Sequence, residues 1–454
     1  MRATTDTIAA IATPPGRGGV GIVRVAGADL ALLIAGIVGK PLTARMATLA
    51  NFRGADGATL DQGIAIHFPA PHSLTGDDVL ELQGHGGRAA MDALLSRCLE
   101  LGARFAAPGE FTQRAFLNDK IDLVEAEAVA DLVDAATATA ARAAARSLTG
   151  EFSREVDALT EALLALRMFV EATLDFPDED IDFVEAHDAR GRLAAMRTHL
   201  DGVLRRARTG ALLREGLVVV LIGRPNVGKS SLLNRLVRED AAIVTPVAGT
   251  TRDTIERPVE IAGIPLSVID TAGLRDTNDA VEQVGIARTW HAVARADLAI
   301  VIVDARRDGG ALQAEDSAII ARLDPALPRV IVHNKADLAG VAAHVQHPPD
   351  GPHVHLSALT GDGIALLEQA VLAIAGASAE TDDTFLARER HLVALRAADA
   401  HLRDAARHLD VAVPPLELFA EALRNAQDAL SSITGAFTPD DLLGVIFGRF
   451  CIGK

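Results

Sequence analysis

The sequence predicts an α/β plus α architecture: a small α/β domain at the N-terminus, a helical domain in two segments, and a second α/β domain inserted between those segments. Three observations carry this. Apolar runs at 217–222, 265–269 and 298–303 alternate with helix-like segments, the pattern of a parallel sheet covered by helices. Ala-rich blocks with apolar residues at three- and four-residue steps flank that region on both sides. Ahead of them, residues 1–119 mix short strand-like runs (19–25, 63–68, 78–83) with a helical stretch at 87–101.

The helical blocks follow from periodicity. Phe152, Val156, Leu159, Leu163, Leu166 and Val170 alternate four- and three-residue steps and make one apolar seam on a long helix. Beyond a polar, linker-like stretch at 377–384, the period resumes with Leu395, Leu402 and Leu409. Leu416, Phe419, Leu423, Ala426, Leu430 and Ile433 then form another seam. Neither block reads as a domain alone, so 120–215 and 378–454 are assigned to one helical domain and 216–377 to the insertion. Core packing is preferred to a dimer interface for these seams.

Composition narrows the class. A chain of 454 residues has room for two to four domains, and 49% apolar content allows sizeable cores. With no Tyr and one Trp, close-packed Ala-rich helices are expected. The net charge of −17 argues against broad, non-specific nucleic-acid binding. Short clusters such as Arg205-Arg206-Arg208 still leave room for a local site. Two cysteines, Cys98 and Cys451, exclude a disulfide framework and suit a reducing compartment. The apolar stretch at 8–12 is too brief for a signal peptide, and no run approaches a membrane span. A soluble, cytoplasmic protein is expected.

The insertion carries the chemistry. Gly223-Arg224-Pro225-Asn226-Val227-Gly228-Lys229-Ser230 separates a buried strand from a helix. In such a turn successive N–H groups and the helix N-terminus face a phosphate chain. Lys229 would reach the β- and γ-phosphates, and Ser230 would ligate Mg²⁺. Asn226, Val227, Gly228 and Ser231 complete the expected contacts. Asp270-Thr271-Ala272-Gly273 ends a strand, where Asp supports the metal shell and Gly brings an N–H to the γ-phosphate. Asn334-Lys335-Ala336-Asp337 supplies a carboxylate that accepts from guanine N1–H and the 2-amino group together. Adenine would leave that carboxylate unpaired. In Ser357-Ala358-Leu359 a backbone N–H could meet guanine O6. Four motifs in this order, each at a strand end, point to GTP.

Thr245-Pro246-Val247-Ala248-Gly249-Thr250-Thr251 lies between the first two motifs, and Thr251 is chosen to complete the Mg²⁺ shell. Leu274 stands where Ras-type GTPases place a water-orienting Gln, so the attacking water needs another partner. Arg275 and Glu282 follow in a Gly/Asn/Asp-containing stretch. Glu282 reads equally as a residue that polarises water and as a solvated helix start. Asn226, with carbonyls of the 245–249 loop, could hold a monovalent cation, or serve turn geometry alone. The acid-rich stretch at 175–182 reads as a solvated loop. His344, His347, His353 and His355 read as a surface loop rather than a metal site. His85, in Gly84-His85-Gly86-Gly87, lacks any nucleophile-elbow partner.

The whole chain also resembles the tRNA-modification GTPase family MnmE (TrmE). The resemblance rests on Ala12-Thr13-Pro14-Pro15-Gly16-Arg17-Gly18-Gly19, Leu80-Glu81-Leu82-Gln83-Gly84-His85-Gly86-Gly87, Pro108-Gly109-Glu110-Phe111-Thr112, Asn118-Asp119-Lys120, the GTP motifs, and the terminal Phe450-Cys451-Ile452-Gly453-Lys454. It implies an N-terminal folate-binding domain that dimerises (1–119), a discontinuous helical domain and an inserted Ras-like P-loop GTPase domain. It also implies a flavoprotein partner, MnmG (GidA), carrying FAD, in a heterotetramer. Together they would place an aminomethyl or carboxymethylaminomethyl group on C5 of the wobble uridine of certain tRNAs, with 5-formyl- or 5,10-methylene-tetrahydrofolate as one-carbon source. By this resemblance Arg24, Glu81, Lys120 and Lys454 are folate contacts, and Asn226, Thr245, Val247 and Thr250 form a potassium site. Ser230 and Thr251 hold magnesium, Glu282 orients water, and two GTPase domains meet across their switch loops. Cys451 matches a cysteine linked to the modification step, with simple packing as the competing reading.

Overall fold

The computed structural model describes residues 6–175, 188–239, 256–270, 293–306, 312–377, 383–411 and 413–435, together with 446, 448, 450 and 453. The chain divides into two compact units, Met1–Ala130 with Ser431–Lys454, and Asp131–Leu430.

In the first unit, β1 (Ile8–Ile11), β2 (Gly18–Gly27), β3 (Thr48–Arg53), β4 (Thr59–Phe68), β5 (Asp78–Gly86) and β6 (Arg104–Phe105) form one sheet in the order β3-β4-β5-β2-β1-β6. Alternation along the strands divides its faces. Val23 and Val25 of β2, with Leu80 and Leu82 of β5, pack with Phe52 against Leu33 of α1 (Ala31–Ile37) and Leu94 of α2 (Arg88–Glu100). The intervening residues point the other way. There Ala26 and Val79 join Ile8, Ala10 and Phe111 of α3 (Glu110–Leu117) in a smaller cluster. Arg24 and Glu81 are directly paired in register on that same face.

An ion network fixes α3. Arg114 is 2% exposed, and its guanidinium donates to the Asp6 carbonyl (2.8 Å), to Asp6 Oδ1 (2.8 Å) and to Glu110 Oε1 (3.0 Å). Arg104 donates to both oxygens of Glu110. Burial alone would raise the Glu110 pKa, but these hydrogen bonds bring it below the usual carboxylate range. Phe116, Leu123 and Ala126 pack with Ile446 and Phe450 from the C-terminal segment.

The second unit holds a seven-stranded sheet, in the order β12-β13-β11-β10-β7-β9-β8. Its strands are β7 (Leu217–Gly223), β8 (Glu256–Ile261), β9 (Ile264–Asp270), β10 (Leu298–Asp304), β11 (Arg329–Asn334), β12 (His344–Gln346) and β13 (His353–His355). β7, β9, β10, β11 and β13 run parallel, while β8 and β12 are antiparallel edges. Strands buried on both faces need unbroken apolar runs, and β7 supplies one. Val219 and Leu221 face α8 (Lys229–Glu239) and α11 (Ile364–Ala375), whereas Val220 and Ile222 join Val301 and Ile331 in a separate cluster, with Ile319 of α9 (Ala314–Ala321) packed against it.

The helical part comprises α5 (Ala138–Leu148), α6 (Glu151–Asp175), α7 (Ala189–Glu215), α12 (Glu389–Leu409) and α13 (Leu416–Thr434), after α4 (Leu123–Asp134). Every residue of the Phe152–Val170 seam is at most 1% exposed, so the seam is core. Leu395, Leu402 and Leu409 are equally buried. Phe152 stacks on Phe385 at 4.4 Å, and the Arg206 guanidinium lies 4.9 Å from the Phe385 ring centroid. The P-loop sheet also shares a core with this region. Ala143, Ala144 and Leu213 pack among its residues, and Thr137 Oγ1 donates to Gly263 O at 2.9 Å in the β8–β9 turn.

Candidate functional site

The parallel strands bring Gly223, Asp270, Asp304 and Asn334 to one edge of the sheet, at their carboxyl ends. Successive strands fall on opposite sides of β7, so the phosphate loop that follows it opens at the point where strand order reverses. Ligands bind at such a crevice.

Two glycines make the loop possible. Gly223 lies so close to β10 that a Cβ would sit 2.4 Å from Ile302 O. Gly228 has φ +104°, and a Cβ there would sit 2.2 Å from Asn334 Nδ2. With only hydrogen in that place, Asn334 enters the loop. Its Nδ2 donates to Val227 O (2.8 Å), and its Oδ1 accepts from Ala358 N (2.9 Å). At 2% exposed, this one amide ties the phosphate loop to the 357–359 loop. Ser357 is 1% exposed; its N–H donates to Asp362 O, and its Oγ accepts from Thr360 N.

Lys335 takes a left-handed backbone, φ +68°, before the short helix α10 (Ala336–Ala339). That turn aims its ammonium back at the phosphate loop, where it donates to Asn226 O (2.6 Å) and Asp304 Oδ2 (2.7 Å). Hydrogen bonds from Arg306, aided by Lys335, hold the Asp304 carboxyl far below the usual range against the cost of burial. Asp337 follows in the first turn of α10 and is exposed. Lys229, 8% exposed, donates to Gly223 O (2.7 Å) and Arg224 O (3.0 Å), which keeps its ammonium over the loop. Ser230 and Ser231 are exposed in the first turn of α8. A hydroxyl there suits Mg²⁺, and the phosphate loop suits an anion. Asn226 (φ +66°) is exposed, and its side-chain amide makes no hydrogen bond among the described residues. A neutral carbonyl oxygen of this kind suits K⁺.

Thr245, Pro246, Val247, Ala248, Gly249, Thr250, Thr251, Thr271, Ala272, Gly273, Leu274, Arg275, Glu282, Cys451 and Lys454 lie outside the described residues. Asp270 is described as the end of β9 by its backbone alone.

A second polar site lies on the first unit's sheet, on the face that α3 packs against. Arg24 donates through Nε (3.1 Å) and Nη2 (3.0 Å) to Glu81 Oε1, and through Nη1 to Gly453 O (3.3 Å). The guanidinium lies 5.8 Å from the Phe111 ring centroid, and Gln83 donates to Glu81 Oε2 at 3.3 Å. A guanidinium–carboxylate pair beside an aromatic ring suits a flat heterocycle with amino and carbonyl edges. The contact with Gly453 brings that one residue of the C-terminal segment to this place. Lys120 is held differently. Its Nζ donates to Pro71 O (3.0 Å), and among the described residues it shares no hydrogen bond with Arg24 or Glu81.

Two groupings went unread in the sequence. Asp304 ends an apolar run as Asp270 does, and that shared position was the signal for it. Of the histidines expected in a surface loop, His344, His353 and His355 occupy strands, whereas His347 lies just beyond β12. His344, His355 and His333 stack with centroids 4.3 Å apart at each step, and His333 Nε2 lies 3.0 Å from His353 Nδ1. Burial, helped by the neighbouring imidazoles, pushes His333 down to about 4. No metal-binding group of three or more His, Cys, Asp or Glu residues occurs among the described residues. No helix among them is long and apolar enough to cross a membrane.

Comparison with known proteins agrees along the whole chain. The family described as GTP-binding protein TrmE N-terminus matches residues 7–120, and the MnmE helical domain matches residues 123–451. A tRNA modification GTPase MnmE from Ralstonia nicotianae is 59% identical, over 99% of this chain and 97% of that protein. One of the same name from Burkholderia cenocepacia is 57% identical, over 99% of each. Among solved structures, an Era protein from Aquifex aeolicus bound to GDP·AlF4⁻ is 23% identical with TM-score 0.29, over 44% of this chain and 69% of that one.

Proposed function

Because this chain belongs to the MnmE family of tRNA modification GTPases, we propose that it couples potassium-assisted GTP hydrolysis to modification of the wobble uridine. It is a GTPase, and the proposal concerns its site residues, ions, folate and partners. One observation carries the reading. Asn334 joins the phosphate loop to the guanine-side loop, while Lys335 anchors Asn226, so a single ligand with both a phosphate chain and a base fits the crevice.

In this reading Lys229 and the loop N–H groups from Asn226 to Ser231 offset phosphate charge. Asp337 reads the guanine edge, and Ser230 and Thr251 hold Mg²⁺, supported by Asp270. Asn226, Thr245, Val247 and Thr250 hold K⁺. Bound there, K⁺ supplies positive charge where the transition state gathers negative charge. Glu282 orients water in place of the absent glutamine, with Arg275 beside it. Contact between two copies across these loops completes the site, so the active form is a homodimer.

On the first unit, Arg24, Glu81, Lys120 and Lys454 bind a 5-formyl- or 5,10-methylene-tetrahydrofolate, a source of a one-carbon unit. Arg24 suits carboxylates or ring carbonyls, and Glu81 suits a pterin amino edge. The Arg24–Gly453 contact supports including the C-terminal motif, with Cys451 as the candidate residue nearest the modification step. The partner is the FAD-bearing MnmG (GidA), in a heterotetramer acting on tRNA in the cytoplasm. The product is a carboxymethylaminomethyl or aminomethyl group on uridine C5. Domain limits of 1–119, 120–215 with 378–454, and 216–377 belong to the same proposal.

Mass spectrometry of tRNA nucleosides from cells lacking this protein tests the reading. The wobble modification should vanish and return with the parent gene, but not with Lys229→Ala or Arg24→Ala. Intact modification in the deletion strain would exclude it.

A further inference from the structure

We propose that Asp304 is a positioning residue for cation-assisted hydrolysis, neutralising Lys335 beside Asn226 so that the phosphate loop can hold potassium. The inference rests on the potassium reading above. Lys335 Nζ lies 2.6 Å from Asn226 O and 2.7 Å from Asp304 Oδ2, so a full positive charge sits against the backbone of the residue that would coordinate the ion. Uncompensated, that charge would repel a second cation on the Asn226 side chain. The Asp304 side chain is only 8% exposed, where solvent screens little, and Arg306 donates to it at 3.0 and 2.7 Å. One carboxylate thus offsets two cations beside the loop.

Asp304 also shapes the loop. By holding the ammonium at the end of β10, in register with Asn334, it aims Lys335 at Asn226 O. Replacing Asp304 with Asn keeps the volume and a hydrogen-bond acceptor while removing the charge. Replacing it with Glu keeps the charge. The pair therefore separates charge from shape.

The test titrates KCl at constant ionic strength, with choline as the balancing cation, on the full chain. Two readouts give the half-saturating K⁺: GTP turnover, and the unfolding midpoint with a non-hydrolysable GTP analogue. Asp304→Asn should raise it roughly three- to tenfold in both readouts, while the rate at saturating K⁺ stays within about twofold. Asp304→Glu should stay close to the parent. An unchanged half-saturation in Asp304→Asn, or an equal shift in Asp304→Glu, would overturn the inference and leave the potassium reading standing. A parent protein indifferent to K⁺ would remove both. If Asp304→Asn does not fold, Arg306→Ala carries the test, since it removes one of the two cations. Its half-saturation should fall below the parent's, and no change or a rise would contradict the proposal.

Discussion

Asn334 spends its amide on two loops at once, and that double use makes it the residue most sensitive to change. Truncation to Ala strands Val227 O and Ala358 N in a buried place, where each unmet group costs about 1–3 kcal/mol. Asn334→Ala is expected to weaken GDP binding by roughly tenfold or more and to lower the unfolding midpoint, measured by mant-GDP titration and calorimetry. Asp337 gives a cleaner chemical test. A carboxylate accepts two hydrogens from guanine, whereas an amide can donate to the 2-oxo group of xanthine. Competition binding should show Asp337→Asn losing GTP and gaining XTP; retained guanine preference would remove Asp337 from base recognition. Such residues were legible because their chemistry is confined to short contiguous motifs. Asp304 was not, because its role depends on Lys335, thirty-one residues away in sequence, turning back across the sheet edge.

At the scale of elements, long periodic segments were legible and short edges were not. β7 and α6 announced themselves by an unbroken apolar run and by a sustained seam, whose side chains are core. β12 has only three residues and is antiparallel to the sheet around it. Its polar sequence, followed by two prolines, carries no strand period, and so His344 looked like loop. In the sheet the histidines become a stack whose surroundings are His344, His353, His355 and Asp350. Both His333 and His355 titrate below the ordinary 6.5, chiefly through burial. The unfolded chain therefore takes up protons first as pH falls. Stability from this stack is complete above about pH 7 and is lost as pH drops towards the folded value of about 4 for His333. His333 alone should cost roughly 2 kcal/mol between pH 7 and pH 5. Denaturant unfolding across that range checks this. His333→Gln should flatten the profile, and a parallel profile would show that the stack does not set it.

The whole molecule combines a sheet domain, a helical region and a P-loop sheet, as the sequence periodicities indicated. In chain order the P-loop sheet lies between the two groups of helices. Ala143, Ala144 and the Thr137–Gly263 contact merge the P-loop sheet with the helices into one compact unit. Such contacts pair residues more than a hundred positions apart, and no local pattern announces them. Their position matters. The β8–β9 turn they hold joins the two strands that end at Asp270, so the helical region grips the hairpin leading to that residue. The central claim, that a cation bound at Asn226 completes a site lacking the usual glutamine, is met most directly by GTP turnover in potassium against sodium at matched ionic strength. The account predicts stimulation of about tenfold or more by potassium, abolished in Asn226→Ala with GTP binding retained. Equal, slow turnover in both salts would contradict it.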